Sequence, residues 1–154
     1  MSLTDGFSIR ILSELQRDAR QTILQIAQRV GLTSTPCWKR VKEMERSGVI
    51  RGYTALVDRD KVGLLICVLV EITLIKHTEK FTLDFEKEVA ACPQITECYS
   101  TTGNADYMLK VVTTDIKTYE AFMHSVLFKL PGVDHVRSSI VLREVKYDPR
   151  LPLA

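Results

Sequence analysis

The stretch Gly31–Leu56 has the sequence GLTSTPCWKRVKEMERSGVIRGYTAL and concentrates cations in a chain whose formal net charge is only +2. Its basic residues are Lys39, Arg40, Lys42, Arg46 and Arg51. Pro36 suits the first position of a helix, and Gly48 favours the end of one. We therefore expect a helix that begins at Thr35–Pro36, stops before Gly48 and carries most of these cations.

The expected helix has a charged side opposite an apolar side. At about 100° per residue, four residues fall within a stripe about 60° wide, the cationic stripe: Thr35, Lys39, Lys42 and Arg46. The opposite side carries Cys37, Val41 and Met44. Glu43 and Glu45 fall beside the stripe, and such exclusion of acids is expected where phosphates supply the affinity. A solvated helix face without a partner is the alternative.

Two shorter helices are expected before this one. Apolar residues recur at helical spacing from Phe7 to Leu15 and again from Ile23 to Val30, with Thr22 as a plausible N-cap. Ala27 and Gly31 then supply the small residue and the turn glycine that a helix-turn-helix needs. That motif places its second helix in the DNA major groove. The expected partner of the cationic stripe is therefore double-stranded DNA.

A small hairpin, or wing, is expected after the third helix. Val49–Ile50 and Tyr53–Val57 favour β structure on either side of the turn signal Arg51–Gly52. Trp38 lies between the core and the cationic stripe and is expected to pack against this wing. The predicted DNA-contacting residues are Ser34, Thr35, Lys39, Arg40, Lys42, Arg46 and Arg51, with Thr35 also a possible N-cap.

The remainder of the chain predicts a β-α-β-β-α-β order, that of a ferredoxin-like sandwich with both helices on one face of the sheet. The expected elements are a strand Leu64–Leu74, a helix ending at Cys92–Pro93, strands Ile95–Ser100 and Tyr107–Thr113, a helix from Ile116 to Leu130, and a strand Val136–Val145. The fold class is α+β, with domains at 1–60 and 61–154 joined by the polar hinge Asp58–Gly63. The first strand is apolar at nearly every position through Val70, which indicates burial on both faces and therefore a homodimer.

Several classes of function are not expected. The longest apolar run, Gly63–Val70, is too short to span a bilayer, and a cytoplasmic protein is the simplest interpretation. Four cysteines, at positions 37, 67, 92 and 98, match neither a zinc site nor a disulfide framework, although a redox or metal sensor stays an alternative. His77, His124 and His135 show no ligand spacing, and no P-loop or catalytic triad is present, so we expect no enzyme, metal or cofactor.

Four segments carry a resemblance to a known family: ILSELQRDAR (11–20), AQRVGLTSTPCWKRVKEMERSGVIRGYTALVD (27–58), TTGNADYMLKV (101–111) and LPGVDHVRSSIVLREVKY (130–147). Together they resemble the Lrp/AsnC, or feast/famine, transcriptional regulators. The resemblance implies a winged helix-turn-helix, a hinge strand and a C-terminal dimerising, ligand-binding RAM domain. It also implies octameric assembly on nucleoid DNA and a response to amino acids. Alternatives are a sirohaem decarboxylase, whose fold is similar, and a ligand-binding module without a DNA function.

The resemblance also favours an effector site between subunits, for an amino acid. Its predicted residues are Thr101, Thr102, Gly103, Asp106, Tyr107, Ser138 and Ser139. Hydroxyls can donate to the carboxylate, Gly103 lets backbone amides turn toward a ligand, and Asp106 supplies an anion for the ammonium group. Each residue also has an ordinary interpretation, as part of a turn or a strand.

Overall fold

The computed structural model describes residues 5–75 and 79–153, so that His77 lies outside the described residues. The chain divides into two compact units. The first is Met1–Leu56 together with Lys146–Ala154, and the second is Val57–Val145. The predicted domain limits at residues 60 and 61 stay a prediction, and no sequence pattern indicated that the C-terminal segment joins the first unit.

Three helices form the first unit: α1 (Gly6–Arg17), α2 (Ile23–Val30) and α3 (Ser34–Arg46). The predicted N-cap of α2 is confirmed, because Thr22 and Gln25 bond reciprocally in a capping box. Gly31 ends α2 at φ 75°, a backbone conformation that other residues rarely adopt. The core of this unit consists of Ile11, Ile26, Ala27, Val30, Cys37, Val41 and Met44. The predicted apolar side of α3 is therefore the packed one.

The start of α3 differs from the prediction. The helix begins at Ser34 with Thr33 as N-cap, so Pro36 is its third residue and Thr35 is not a cap. A proline fits anywhere in the first turn, because the first four N–H groups of a helix have no partner within it. The position of Pro36 therefore predicts the start of the helix with an uncertainty of about one turn.

The predicted hairpin after α3 is wrong, since residues 47–65, all of them described, contain no strand. The N–H of Ile50 instead donates to the carbonyl of Met44 at 3.0 Å, and the Ile50 side chain packs against the helical core. Val49–Ile50 thus complete the end of α3, and no partner strand remains for Tyr53–Val57. The last described segment also contacts α1: the Gln16 amide and the Leu151 backbone exchange two hydrogen bonds, of 3.1 and 2.6 Å.

The second unit confirms the β-α-β-β-α-β order. Its elements are β1 (Ile66–Leu74), α4 (Glu79–Ala90), β2 (Ile95–Ser100), β3 (Tyr107–Thr113), α5 (Ile116–Ser125), a 3-10 turn (Leu127–Lys129) and β4 (Val133–Ile140). The strands form one antiparallel sheet in the order β2-β3-β1-β4. One face of this sheet, with Val70 and Leu109, packs against Phe85 of α4 and Phe122 of α5. Both helices therefore cover the same face, as predicted.

Two strand limits differ from the predictions. β1 begins at Ile66 rather than Leu64, and β4 spans Val133–Ile140 rather than Val136–Val145. β4 pairs with β1 from Leu74 to Val68, so the chain beyond Ile140 has almost no strand left to pair with. Leu142 is accordingly 97% exposed. Hydrophobic sequence alone did not indicate where the neighbouring strand ends.

The sheet face opposite α4 and α5, here called the open face, is covered by no helix among the described residues of the second unit. Leu69 of β1 lies on it with 42% of its surface exposed, so the predicted burial of both faces of β1 does not hold within one chain. Tyr99 is also exposed there. Two ion pairs share the face, Lys110–Glu97 at 3.0 Å and Arg137–Glu71 at 3.6 Å.

Candidate nucleic-acid interface and effector site

The cationic stripe lies on the exposed side of α3, but acids contact two of its cations. Lys42 pairs with Glu45 at 2.7 Å, and Arg46 bonds Glu43 through two nitrogens at 2.7 and 3.0 Å. The predicted exclusion of acids is therefore wrong: Glu43 and Glu45 flank the stripe and reach into it. The Arg46 guanidinium lowers the pKa of Glu43, and the Lys42 ammonium lowers that of Glu45.

Both pairs are close to solvent, since the side chains of Lys42 and Arg46 are 55% and 77% exposed. Exposed ion pairs between residues three apart contribute little stability, because water competes for both charges. A phosphate can therefore replace either glutamate at low cost in free energy. Lys39 is exposed on the same stripe.

Arg40 faces a different surface from the stripe. Its side chain is only 11% exposed, and its guanidinium bonds Asp5 at 3.0 Å and lies 5.6 Å from the centre of the Phe7 ring. The pKa of Asp5 is lowered chiefly by the backbone N–H of Ser8, which donates to its carboxylate at 2.7 Å, and also by Arg40. Arg40 thus joins α3 to the start of α1, and its predicted role on DNA stays a prediction.

A shallow depression lies where α2 and α3 begin. Its lining residues are Ile23, Ser34, Thr35 and Trp38, and its volume is about 290 Å³. The predicted packing of Trp38 against a hairpin wing is wrong, because the hairpin is not formed and Trp38 is 49% exposed. Ser34 and Thr35, both predicted to contact DNA, therefore share a surface with an apolar ring.

The segment after α3 is attached through a residue that the sequence reasoning missed. The Tyr53 hydroxyl donates to Glu45 at 3.0 Å, and burial together with this carboxylate raises the pKa of Tyr53 to about 12. Glu45 thereby connects Tyr53 with Lys42. Arg51, two residues earlier, is exposed in this irregular segment. No local pattern could have signalled the Tyr53 contact, since the two residues are eight positions apart in the chain.

The predicted effector loop between β2 and β3 is held by its own hydrogen bonds and by β1. The Thr101 hydroxyl donates to the carbonyl of Ala105 at 2.8 Å, and the Asp106 carboxylate accepts from the N–H of Leu74 at 2.7 Å. Thr102 and Gly103 are exposed at the tip, where Gly103 has φ 115°. The loop therefore offers hydroxyl and amide groups to solvent on a fixed base.

Three other predicted effector residues have partners elsewhere in the second unit. Tyr107 is buried, and its hydroxyl donates to Glu86 at 2.9 Å. The hydroxyl of Ser138 bonds that of Tyr119 on the helix-covered face, whereas Ser139 pairs with Leu69 on the next step of β4. Ser138 and the loop lie on opposite sides of β1, about 10 Å apart across the sheet. A single chain does not bring them together.

Other chemistry finds little support among the described residues. No group of three His, Cys, Asp or Glu side chains there could hold a metal ion. No helix within 5–75 or 79–153 is long and apolar enough to cross a bilayer. All four cysteines are free thiols, and burial raises the pKa of Cys37 and Cys67, which keeps these thiols protonated and unreactive at neutral pH.

Two family models match the chain. A winged helix-turn-helix DNA-binding model matches residues 4–51, and the Lrp/AsnC ligand binding domain matches residues 67–151. Among curated proteins, the leucine-responsive regulatory protein of Escherichia coli K12 is 38% identical over 147 residues, which cover 96% of this chain and 90% of that protein. Its counterpart in Haemophilus influenzae is 37% identical over 142 residues, covering 92% and 86%.

Solved structures give the same result. The transcriptional regulator NMB0573 of Neisseria meningitidis, crystallised as a complex with L-Met, is 32% identical with a TM-score of 0.90, over 97% of this chain and 96% of that one. An AsnC family transcriptional regulator from Agrobacterium tumefaciens is 36% identical with a TM-score of 0.90, over 97% of each chain.

Proposed function

Because this chain belongs to the Lrp/AsnC family of DNA-binding transcriptional regulators, we propose that it binds duplex operator DNA through the cationic stripe of α3 and senses an amino acid through its second unit. The predicted family and fold class are confirmed, and so is the prediction that the chain is not an enzyme, since its relatives are transcriptional regulators. The decarboxylase alternative is therefore discarded.

The observation that carries the DNA proposal is the position of the stripe. Lys39, Lys42 and Arg46 lie on the exposed side of the second helix of a helix-turn-helix, opposite the core. In this motif that helix enters the major groove, and cations beside it neutralise phosphates. Ser34, Thr35 and Arg51 complete the proposed contact surface. Arg40 contributes to it by holding α3 against the start of α1 through Asp5 and Phe7. The proposed location is the cytoplasm, on the nucleoid.

Salt-dependent affinity tests this proposal. Lys42→Ala or Arg46→Ala should weaken operator binding and reduce the slope of log K against log salt by about 0.9 for each phosphate that the variant no longer neutralises. Lys87→Ala, which removes another exposed cation, on α4, is the matched control. Glu43→Gln should strengthen binding, because Arg46 then needs no exchange of partners. Unchanged affinity and slope in both stripe variants would contradict the proposal.

We further propose a homodimer formed through the open face, with dimers assembling into octamers. The support for the dimer is the exposed apolar surface of Leu69 and Tyr99 on a sheet whose other face packs against α4 and α5. A second copy of the same sheet would cover this surface, because a two-fold axis brings identical patches together. In such a dimer, β4 of each chain would lie close to the sheet of the partner chain.

The proposed effector is an amino acid bound between subunits by the loop 101–107 and by Ser138–Ser139. NMB0573, which is similar over nearly its whole length, was crystallised with L-Met, and this supports the ligand class. The separation of the loop from Ser138 within one chain supports a site that needs two. Burying the ammonium or the carboxylate of the ligand without a partner would be costly, so Asp106 and the loop hydroxyls are the proposed contacts.

Calorimetric titration of the twenty amino acids tests the effector proposal. Binding should shift the distribution of dimers and larger assemblies, since an effector acts only through a difference in affinity between two states. If an amino acid binds but the distribution of assemblies does not change, the proposed site is kept and its proposed regulatory role is contradicted. Absence of binding by all twenty would contradict the ligand class.

A further inference from the structure

Trp38, the sole tryptophan of the chain, lies at the edge of the cationic stripe with 49% of its surface exposed. At about 100° per residue it points about 40° away from Lys42. The indole is a large apolar surface, and leaving half of it in water forgoes stabilisation that burial would supply. Neither the core of the first unit nor a wing uses this ring. Its exposed surface lies beside the stripe lysines and is available for contact with DNA.

The depression next to Trp38 is shallow and open, and it brings apolar side chains together with side chains that carry hydroxyls. Ile23, the first residue of α2, lines it together with the indole. Ser34 and Thr35, the first two residues of α3, add one hydroxyl each. In a helix-turn-helix, the N-terminal residues of the second helix contact base edges. The pocket therefore lies where a base, rather than a phosphate, is expected.

We infer that this depression contributes to sequence specificity. It would recognise a thymine by binding its C5 methyl group between the side chains of Ile23 and Trp38. This inference rests on the proposed DNA-binding function and adds the base that the surface selects. In the major groove, that methyl is the apolar group by which thymine differs from the other bases. The hydroxyls of Ser34 and Thr35 can bond polar edges of the same or the neighbouring base.

The surroundings favour DNA over a protein or a small apolar ligand. Lys42 and Lys39 both lie on the stripe side of Trp38, about 40° and 100° from it around the helix, so that an occupant with negative charge close to an apolar group is favoured. Thymine in a duplex has both, with its methyl group in the groove and phosphates along the rims. The pocket is thus continuous with the proposed phosphate contacts of the stripe.

Deoxyuridine substitution tests the inference on the unmodified protein. The preferred duplex would first be obtained by selection from a random pool, and each thymine of one half-site would then be replaced in turn by deoxyuridine, which lacks only the methyl group. At one position the replacement should weaken binding about fourfold, the effect of exposing one methyl-sized group. Equal affinity for thymine and deoxyuridine at every position would overturn the inference.

Two variants assign the methyl effect to Trp38. Trp38→Ala should bind the thymine and deoxyuridine duplexes with equal affinity and keep the wild-type salt slope. Lys42→Ala should do the reverse, with a reduced slope and an undiminished fourfold difference. A methyl effect that persists in Trp38→Ala, in protein with an unchanged circular dichroism spectrum, would place the methyl elsewhere and overturn the assignment.

The fluorescence of Trp38 provides a second measurement, because no other tryptophan contributes. Binding of the thymine duplex should change its emission more than binding of the deoxyuridine duplex does at the sensitive position. Failure of the DNA-binding proposal has a different result: the wild type would select no duplex at all. Tight, selective binding with the same emission change for both duplexes would overturn only the inference about the methyl group.

Discussion

The carboxylate of Asp106 accepts a hydrogen bond from the backbone N–H of Leu74, with 2.7 Å between Oδ2 and N. The backbone N–H of Asp106 donates in turn to the carbonyl of Ile72 at 2.9 Å. The residue proposed to meet the ammonium group of the effector therefore also fastens the loop to β1. A carboxylate has about four lone-pair directions and can serve both purposes.

Two substitutions at Asp106 separate these roles. Asp106→Asn keeps an oxygen that can accept from Leu74 but removes the charge, so effector affinity should fall by about tenfold or more while the melting temperature stays near that of the wild type. Asp106→Ala should lower both. Calorimetric titration and thermal unfolding of the three proteins give the comparison. Wild-type affinity in Asp106→Asn would show that the ammonium group binds elsewhere.

Arg40 and Lys39 are adjacent in sequence but should respond differently to truncation. Arg40→Ala removes the contact with Asp5 and Phe7, so the melting temperature should fall by several degrees while the salt slope of DNA binding changes little. Lys39→Ala should reduce the salt slope and leave the melting temperature unchanged. If Arg40→Ala is as stable as the wild type and binds DNA with a reduced slope, Arg40 is a phosphate contact after all.

Leu69 should determine whether two chains associate. Leu69→Glu places a charge in the middle of the proposed sheet-to-sheet contact, where burying it would be costly, so dimerisation should weaken by at least about 100-fold. Leu83→Glu on α4 alters another exposed leucine, in the helix layer, and should leave the dimer intact. Sedimentation velocity distinguishes the two variants. A monomeric, folded fragment 61–154 would also contradict the proposed interface.

Tyr107 should make the second unit sensitive to alkaline pH. Burial, and then the Glu86 carboxylate, raise the pKa of Tyr107 from 10.0 to about 12. The unfolded chain therefore loses this proton before the folded one, and stability that is fully present below pH 10 is lost as the pH rises toward 12. The difference in unfolding free energy between wild type and Tyr107→Phe should shrink across this window in urea titrations.

Tyr53 gives a matched comparison, because burial and Glu45 also raise its pKa to about 12. Tyr53→Phe should alter the alkaline behaviour of the first unit only, whereas Tyr107→Phe should alter that of the second. A constant difference between wild type and Tyr107→Phe from pH 8 to pH 12 would contradict the assigned pKa.

The features that sequence could predict depend on short-range regularity. The apolar side of α3, the Thr22 cap and the Gly31 terminus each follow from residues within a few positions of one another. The β-α-β-β-α-β order follows from hydrophobic periodicity, which changes between strands and helices. These patterns follow from local backbone geometry, and the folded structure keeps them.

The features that sequence missed depend on contacts between distant positions. In the sequence, Arg40 cannot be distinguished from the cations next to it. Only its ion pair with Asp5, 35 positions away, shows that its side chain has a different environment. The predicted wing is wrong because Ile50 completes the end of α3. β4 ends before its predicted limit because its antiparallel partner, β1, begins only at Ile66. Within the candidate effector site, the bond from Leu74 to Asp106 joins residues that are 32 positions apart. No rule based on residue spacing predicts such a contact.

The hydrogen bonds between Gln16 and Leu151 have a consequence for how the protein is made. The unit that contains the helix-turn-helix is the first to leave the ribosome, yet its last segment follows only after the whole second unit has been translated. At about 5–20 residues per second, the intervening residues 57–145 take on the order of 5–20 s. During that interval α1 lacks its contact with the C-terminal segment, so the first unit of a nascent chain is without the two hydrogen bonds that Leu151 supplies to Gln16.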